Sequence, residues 1–302
     1  MRAVVMEKFG APSVLVPAEL PVPEPGPGQV RVRVAAAGVN PIDARIRSGS
    51  MKHMFPTPLP AVLGMDIAGT VDALGSGVTD WSVGQEVLGW AEGGGYAEYA
   101  LATAVVAKPG AFSWEQAAAL PSVGETAQRA LRVLAPEPGQ TLLVHGASGA
   151  VGSLVVQLAK ARGIRVIGTA RAENHAYLTA LGAEPVAYGE GLVDRVRELS
   201  PQGVDAVLDA AGAGVLPDSL RLCPAERVLT IADMTFAEHG VRFSRGGGTE
   251  EPDVAALGEA VHLVAAGELT VHVAGTYPLA EAATAHRDTE NGHAPGKLIL
   301  LP

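Results

Sequence analysis

Apolar and charged residues alternate strictly through Val30-Arg31-Val32-Arg33-Val34, the two-residue period of a strand with one buried and one wet face. A turn-rich stretch from Pro21 to Gly28 precedes it. The same β-rich, glycine-punctuated character predicts strands over Asp66–Ala73, Glu86–Leu88, Tyr96–Ala102 and Val105–Ala107, and Lys108-Pro109 closes the region. From Trp114 the pattern turns helical, through Glu115–Leu120 and again from Thr126 to Leu134. Strands and helices then alternate: Thr141 to Val144, a helix through Lys160, Ile164–Ala170, Ala176–Leu181, Pro185–Tyr188, Val193–Leu199, Val204–Ala210 and Arg227–Ala232. Such βαβα order predicts a parallel sheet covered by helices on both faces. A glycine-rich stretch at Gly246–Gly248 follows, then an amphipathic helix over Glu251–Ala266. The closing Leu298–Leu301 reads as a strand returning to the first region, so the α/β unit is inserted in a discontinuous β-rich domain.

Composition narrows the classes. With 302 residues the chain accommodates two domains, and 48% hydrophobic residues supply their cores. A net charge of −10 argues against nucleic-acid binding, which needs clustered Lys and Arg. One cysteine, Cys223, leaves no internal disulfide and fits a reducing cytoplasm. The start, Met1 to Glu7, meets charge too early for a signal peptide, and no apolar run approaches the roughly 20 residues that span a bilayer.

The chemistry begins at Thr141-Leu142-Leu143-Val144-His145-Gly146-Ala147-Ser148-Gly149-Ala150-Val151-Gly152, where an apolar strand meets a small-residue turn and then a helix. Phosphate binding needs backbone N–H groups unobstructed by side chains, with a helix N-terminus behind them. The spacing is the dinucleotide fingerprint, with Ala147, Gly149 and Gly152 at its three glycine positions. One strand later, an NAD site places a carboxylate on the ribose 2′-hydroxyl. This chain has Thr169-Ala170-Arg171, and a guanidinium pairs with a 2′-phosphate that a carboxylate would repel. NADPH is therefore expected, with Arg171 as discriminator; the competing reading makes Arg171 a solvated charge at a helix start.

Several further motifs make the whole chain resemble the medium-chain dehydrogenase/reductase family, in its zinc-free quinone oxidoreductase branch. They are Gly38-Val39-Asn40-Pro41-Ile42-Asp43 with Arg47-Ser48-Gly49, Gly64-Met65-Asp66-Ile67-Ala68-Gly69-Thr70-Val71, Gly94-Gly95-Tyr96-Ala97-Glu98-Tyr99 and the closing Gly296-Lys297-Leu298-Ile299-Leu300. The resemblance implies an α/β protein: a Rossmann doubly wound sheet over 120–266 and a β-rich GroES-like catalytic domain over 1–119 and 267–302. Zinc-using relatives carry Cys and His in the first two motifs, where this chain has Asn40, Asp43 and Met65-Asp66, and one cysteine cannot build a four-thiolate lobe. No catalytic metal is expected. His145 reads as a packing residue, and His53, His286 and His293 as surface or loop positions.

By resemblance, Asn40 lies near the nicotinamide and the substrate carbonyl, although it reads equally as a turn residue before Pro41. Asp43 orients its neighbours. Arg45 stands where many relatives have a substrate-facing tyrosine; it either stabilises an enolate or is a solvated strand-edge charge. Thr126 falls near the nicotinamide ribose and phosphates, or is a helix-start residue. Tyr188 falls at the adenosine phosphate, or is a strand-end aromatic. Gly146 to Gly152 cradle the phosphates, while Ala211, Gly212, Ile231 and Ala232 underlie the cofactor. Phe243 and Ser244 line its nicotinamide side, and Lys297 reaches the cofactor or closes the domain junction.

The implied reaction is zinc-independent hydride transfer from NADPH to a quinone or to the activated C=C of an α,β-unsaturated carbonyl, by a cytoplasmic homodimer. Two alternatives stand beside it: an enoyl or alkenal reductase of a biosynthetic pathway, and a non-catalytic NADPH-binding redox sensor.

Overall fold

The computed structural model describes residues 1–245, 252–292 and 295–302. The expected glycine-rich stretch at Gly246–Gly248, the first residue of the Glu251–Ala266 helix and His293 lie outside the described residues. The chain divides into two compact units, Met1–Glu125 with Gly247–Pro302, and Thr126–Gly246.

The first unit is β-rich. Strands β1 (Arg2–Met6) and β2 (Leu15–Glu19) pair antiparallel, and a long β3 (Val30–Val39) leads into helix α1 (Pro41–Ser48). Then come β4 (Ala61–Val62), β5 (Asp66–Leu74), β6 (Glu86–Trp90), β7 (Tyr99–Ala102), β8 (Val105–Ala107), α2 (Trp114–Ala119) and the start of α3 (Pro121–Leu134). Capping explains two of these helices. Ser113 accepts from Gln116 N at the start of α2, and Pro41 occupies the first turn of α1, where a missing N–H costs nothing.

The second unit is the expected alternation. Its elements are β9 (Thr141–His145), α4 (Ala150–Ala161), β10 (Arg165–Ala170), α5 (His175–Leu181), β11 (Glu184–Ala187), α6 (Leu192–Leu199), β12 (Ala206–Asp209), α7 (Leu216–Leu220), β13 (Val228–Thr230) and β14 (Arg242–Phe243). They form an all-parallel six-stranded sheet in the order β11-β10-β9-β12-β13-β14. That is the doubly wound dinucleotide-binding order, reversing direction beside β9. Leu143, Ile167, Val186, Val207 and Val228 form its core, buried by strands that are apolar on both faces.

After α8 (Val254–Ala265), the chain adds β15 (Val273–Pro278), α9 (Ala282–Asn291) and β16 (Lys297–Leu301) to the first unit. Helix α8 also belongs there: Leu257 and Ala260 are fully buried, and it packs against β8. The large sheet runs β15-β16-β3-β5-β6-β8, with β7 also on β3. One end of β3 therefore pairs with β7 through Val30–Arg33, and the other with β16 through Ala37–Val39. Its core includes Met6, Val32, Ile67, Val71 and Leu300.

Two local expectations are corrected. Asn40 caps a helix that opens at Pro41, so Arg45 lies in α1, half-buried, and is not a strand-edge charge. Tyr96 precedes β7 instead of opening it, and its ring is fully buried.

Candidate functional site

In the first unit, sheet register brings three strand ends together. Asp66 lies opposite Gly38, Leu298 lies opposite Val39, and Asn40 and Lys297 are the adjoining positions. Gly38 is needed there for space, because a Cβ would lie 2.6 Å from Ala118 O and 2.9 Å from Lys297 Cε. Asn40, Asp66 and Lys297 are 5%, 0% and 3% exposed, so their polar atoms must satisfy one another.

They do so in only one arrangement. Lys297 Nζ donates to Asn40 Oδ1 and, at 2.7 Å, to Asp66 Oδ2. Asn40 Nδ2 donates to the same Asp66 oxygen at 3.0 Å. The other Asp66 oxygen accepts from Ser122 Oγ and, at 3.1 Å, from Ser122 N, while Trp90 Nε1 donates to Ser122 Oγ at 3.3 Å. An ammonium only donates and a carboxylate only accepts, so the Asn40 amide cannot be flipped. One Nδ2 hydrogen of Asn40 takes no partner among the described residues.

Behind this triad runs a second buried chain. Asp43 Oδ2 accepts from Asn40 N at 2.8 Å and from Tyr96 Oη at 3.0 Å. Tyr96 Oη meets His286 Nε2 at 3.1 Å, and His286 Nδ1 meets Arg47 Nη1 at 3.4 Å. Arginine can only donate, so Nδ1 is the accepting nitrogen and Nε2–H points at the tyrosine oxygen. Arg47 also pairs with Glu290 at 2.6 Å. Burial first, then the Arg47 charge, lowers His286 to about 3, which keeps it neutral. Burial raises Asp43 to about 7, with Asp66 adding repulsion against the bond from Asn40 N. Burial and the Asp43 charge hold the Tyr96 hydroxyl well above its ordinary value. Thus His286, expected at the surface, is fully buried because α9 turns it toward Tyr96.

In the second unit, Gly146 adopts a left-handed φ of +70° and Gly149 caps α4. A Cβ on Gly152 would run into Gly146 O, so this third fingerprint position admits only glycine without movement. Ala147 is fully buried, and its N–H bonds Thr169 O at 3.1 Å; Gly146 N bonds Thr169 Oγ1 at 3.2 Å. Ser148, Ala150 and Val151 complete the turn, with Asn174 Nδ2 3.4 Å from Ser148 Oγ. A close-fitting turn ahead of a twelve-residue helix suits a dinucleotide pyrophosphate.

At the end of β10, half-exposed Arg171 donates through Nε to Tyr188 Oη at 3.1 Å and faces Glu173 at 3.6 Å. Arg195 fixes the loop that carries Tyr188, donating to Ala187 O at 2.9 Å and Glu190 O at 2.8 Å. Asp209 shapes the turn after β12 by accepting from Ala211 N and Gly212 N, both at 2.9 Å. Its other oxygen accepts from Thr230 Oγ1 at 2.7 Å, which in turn accepts from Ala232 N at 3.1 Å. Ile231 N bonds Asp209 O, so both strand-end turns are tied together. Thr126 and Ser244, far apart in sequence, are joined by Arg129, whose Nη2 lies 3.2 Å from Thr126 Oγ1 and whose Nη1 donates to Ser244 Oγ. Phe243 stacks on Phe236. His145 packs as expected, with Nε2 3.0 Å from Ser219 Oγ.

Sequence reasoning missed Asp66, Tyr96, His286, Arg47 and Arg129 as members of these clusters. For Asp66, Tyr96 and Arg47 a signal existed, since all three sit inside quoted motifs. Arg47 and His286 meet across 239 positions, which no local pattern reveals.

Two family models match: an alcohol dehydrogenase GroES-like domain over residues 26–110 and a zinc-binding dehydrogenase domain over 181–300. A pig quinone oxidoreductase is 32% identical across 100% of this chain and 98% of its own. Two solved structures superpose over the full length of both chains with TM-scores of 0.89. One is a mycobacterial protein complexed with NADPH, 33% identical, and the other is an NAD-dependent alcohol dehydrogenase, 32% identical. Fold and relatives together define an oxidoreductase of the medium-chain dehydrogenase/reductase class. Within that class the chain belongs to the quinone oxidoreductase family.

Proposed function

We propose that the protein is a zinc-independent, NADPH-dependent reductase of quinones or of the activated C=C of α,β-unsaturated carbonyls. The observation that carries this reading is the Asn40 amide, fixed by Lys297 and Asp66 with one N–H left to donate. NADPH, when bound, supplies a hydride, and with one proton from water this yields a hydroquinone or a saturated carbonyl compound. The electron pair moves onto the acceptor's carbonyl oxygen, where a preoriented donor such as Asn40 Nδ2–H stabilises the developing charge. Asp43 keeps Asn40 in place through its backbone N–H, and Arg45 supplies a cation for acceptors that carry negative charge.

Gly146 to Gly152 would hold the pyrophosphate, Ala211, Gly212, Ile231 and Ala232 the underside, and Thr126, Phe243 and Ser244 the nicotinamide side. Arg171 and Tyr188 favour a 2′-phosphate, which supports NADPH over NADH even though an NAD-dependent neighbour shares the fold. Metal independence is supported by the donor set. Asp66 already receives four hydrogen bonds, one of them from the Lys297 ammonium, and no group of three potential metal ligands occurs among the described residues. We further assign the working form as a homodimer in a reducing, cytoplasmic setting suited to its one buried thiol.

The test follows NADPH oxidation in chelator-treated buffer with a quinone and a simple enone offered in parallel. Turnover of either, unchanged by the chelator, is expected, and the faster acceptor fixes the substrate class. NADPH binding without turnover of both would overturn the reading.

A further inference from the structure

Lys297 opens the closing strand, but its side chain is spent elsewhere. Its stem passes Gly38, at a spacing that leaves no room for a Cβ, and its ammonium ends between Asn40 and Asp66 with 3% of the residue exposed. Resting on the reductase reading, we propose that Lys297 is a positioning residue that acts on the acceptor through Asn40 rather than a ligand of the cofactor. The ammonium forces Oδ1 of the amide toward itself, and Asp66 forces Nδ2 toward the carboxylate, so the free N–H has one direction. Rotating the amide would set two donors and two acceptors against each other in a buried site, where unmet polar groups are most costly.

The cation does a second thing. The Lys297 ammonium bonded to Oδ1 draws electron density from the amide nitrogen, so the remaining N–H is a stronger donor to a developing oxyanion. Cooperative strengthening of this kind grows where water is excluded. The Asp66 carboxylate, which also accepts from Asn40 Nδ2 and from Ser122 N and Oγ, holds the ammonium in place. The arrangement supplies by a side-chain cation what a Lewis acid supplies in metal-assisted carbonyl chemistry, one bond further from the substrate.

The experiment is a cycle of variants read by three signals: NADPH Kd from bound-nucleotide fluorescence, kcat at saturating NADPH, and the Asn40 side-chain NH2 resonance by NMR. Lys297→Met is made alone and with Asp66→Asn, because a stranded buried carboxylate can unfold the single variant. Expected are a ten- to hundredfold loss of kcat, an NADPH Kd within twofold of the parent, and a shifted Asn40 resonance. In an Asn40→Ala background the same change should cost less than a further twofold, since the route through Asn40 is already cut. Lys297→Arg, which keeps the charge, should recover part of the loss.

A tenfold weaker NADPH Kd with unchanged kcat would make Lys297 a cofactor ligand and overturn the proposal. Additive losses in the Asn40→Ala background would do the same. If the parent reduces no quinone or enone, the functional reading fails and takes the role toward the acceptor with it. In a parent that does reduce one, an Asn40 resonance unmoved by Lys297→Met sinks this proposal alone.

Discussion

Asp43 collects two hydrogen bonds on one oxygen, from Asn40 N and Tyr96 Oη, yet burial still raises it to about 7. Its folded value lies above the ordinary 3.8, so between these limits the folded chain holds a proton that the unfolded chain has released. The stability linked to this group is therefore full below about pH 4 and is lost as pH rises through about 7. At roughly 1.4 kcal/mol per unit, the change is on the order of 4 kcal/mol across the window. Asp43→Asn keeps an acceptor for both donors and removes the titration. Its Tm should rise relative to the parent as pH goes from 5 to 8, by several degrees in thermal melts at matched ionic strength. A gap that stays constant over that range would show that Asp43 does not titrate there. The sequence offered Asp43 as an orienting group from its motif. Its burial under Tyr96 was not legible, because the covering residues arrive from β-rich turns and from α9, 53 and more positions away.

At the level of elements, legibility followed how local each signal was. The fingerprint strand, turn and helix were readable because β9, the left-handed Gly146 and α4 are consecutive. Strand β3 was readable over its alternating half and unread beyond it, since Ala36 to Val39 is buried on both faces and loses the two-residue period. Helix α1 was missed because eight residues with two arginines and a proline carry little helical periodicity; the helix is set by its first-turn proline and the Asn40–Asp43 bonds. Among strands, β14 has a specific consequence. It is two residues long and ends the six-stranded sheet, so one of its edges is unpaired among the described residues. Short edges resist indiscriminate pairing but accept a two-fold partner that presents the same edge. The proposed homodimer through β14 predicts a solution mass near twice 30.8 kDa at micromolar concentration, measured by light scattering. A monomer mass there would refute it.

For the molecule as a whole, a chain of net charge −10 is proposed to take up a strongly anionic nucleotide. Overall repulsion has to be offset locally, by the N–H groups of the fingerprint turn, the α4 dipole and the Arg171 guanidinium. The first two act on any dinucleotide. In the proposed binding mode Arg171, oriented by Tyr188, acts on the 2′-phosphate, and Glu173 at 3.6 Å opposes it once that phosphate is present. Global stability reads this difference directly, because a ligand of the folded state adds about 2.7 kcal/mol at a hundredfold excess over Kd. In thermal melts at equal concentration, NADPH should therefore raise the Tm of the parent more than NADH does. Arg171→Ala should bring the NADPH shift down to the NADH value while leaving the NADH shift in place. Raised salt should narrow the parent's preference, since a half-exposed guanidinium–phosphate pair is screened whereas the contacts of the loop amides are common to both nucleotides. Equal shifts by the two nucleotides in the parent would remove Arg171 from its assigned role and return the cofactor to the choice that the fold alone leaves open.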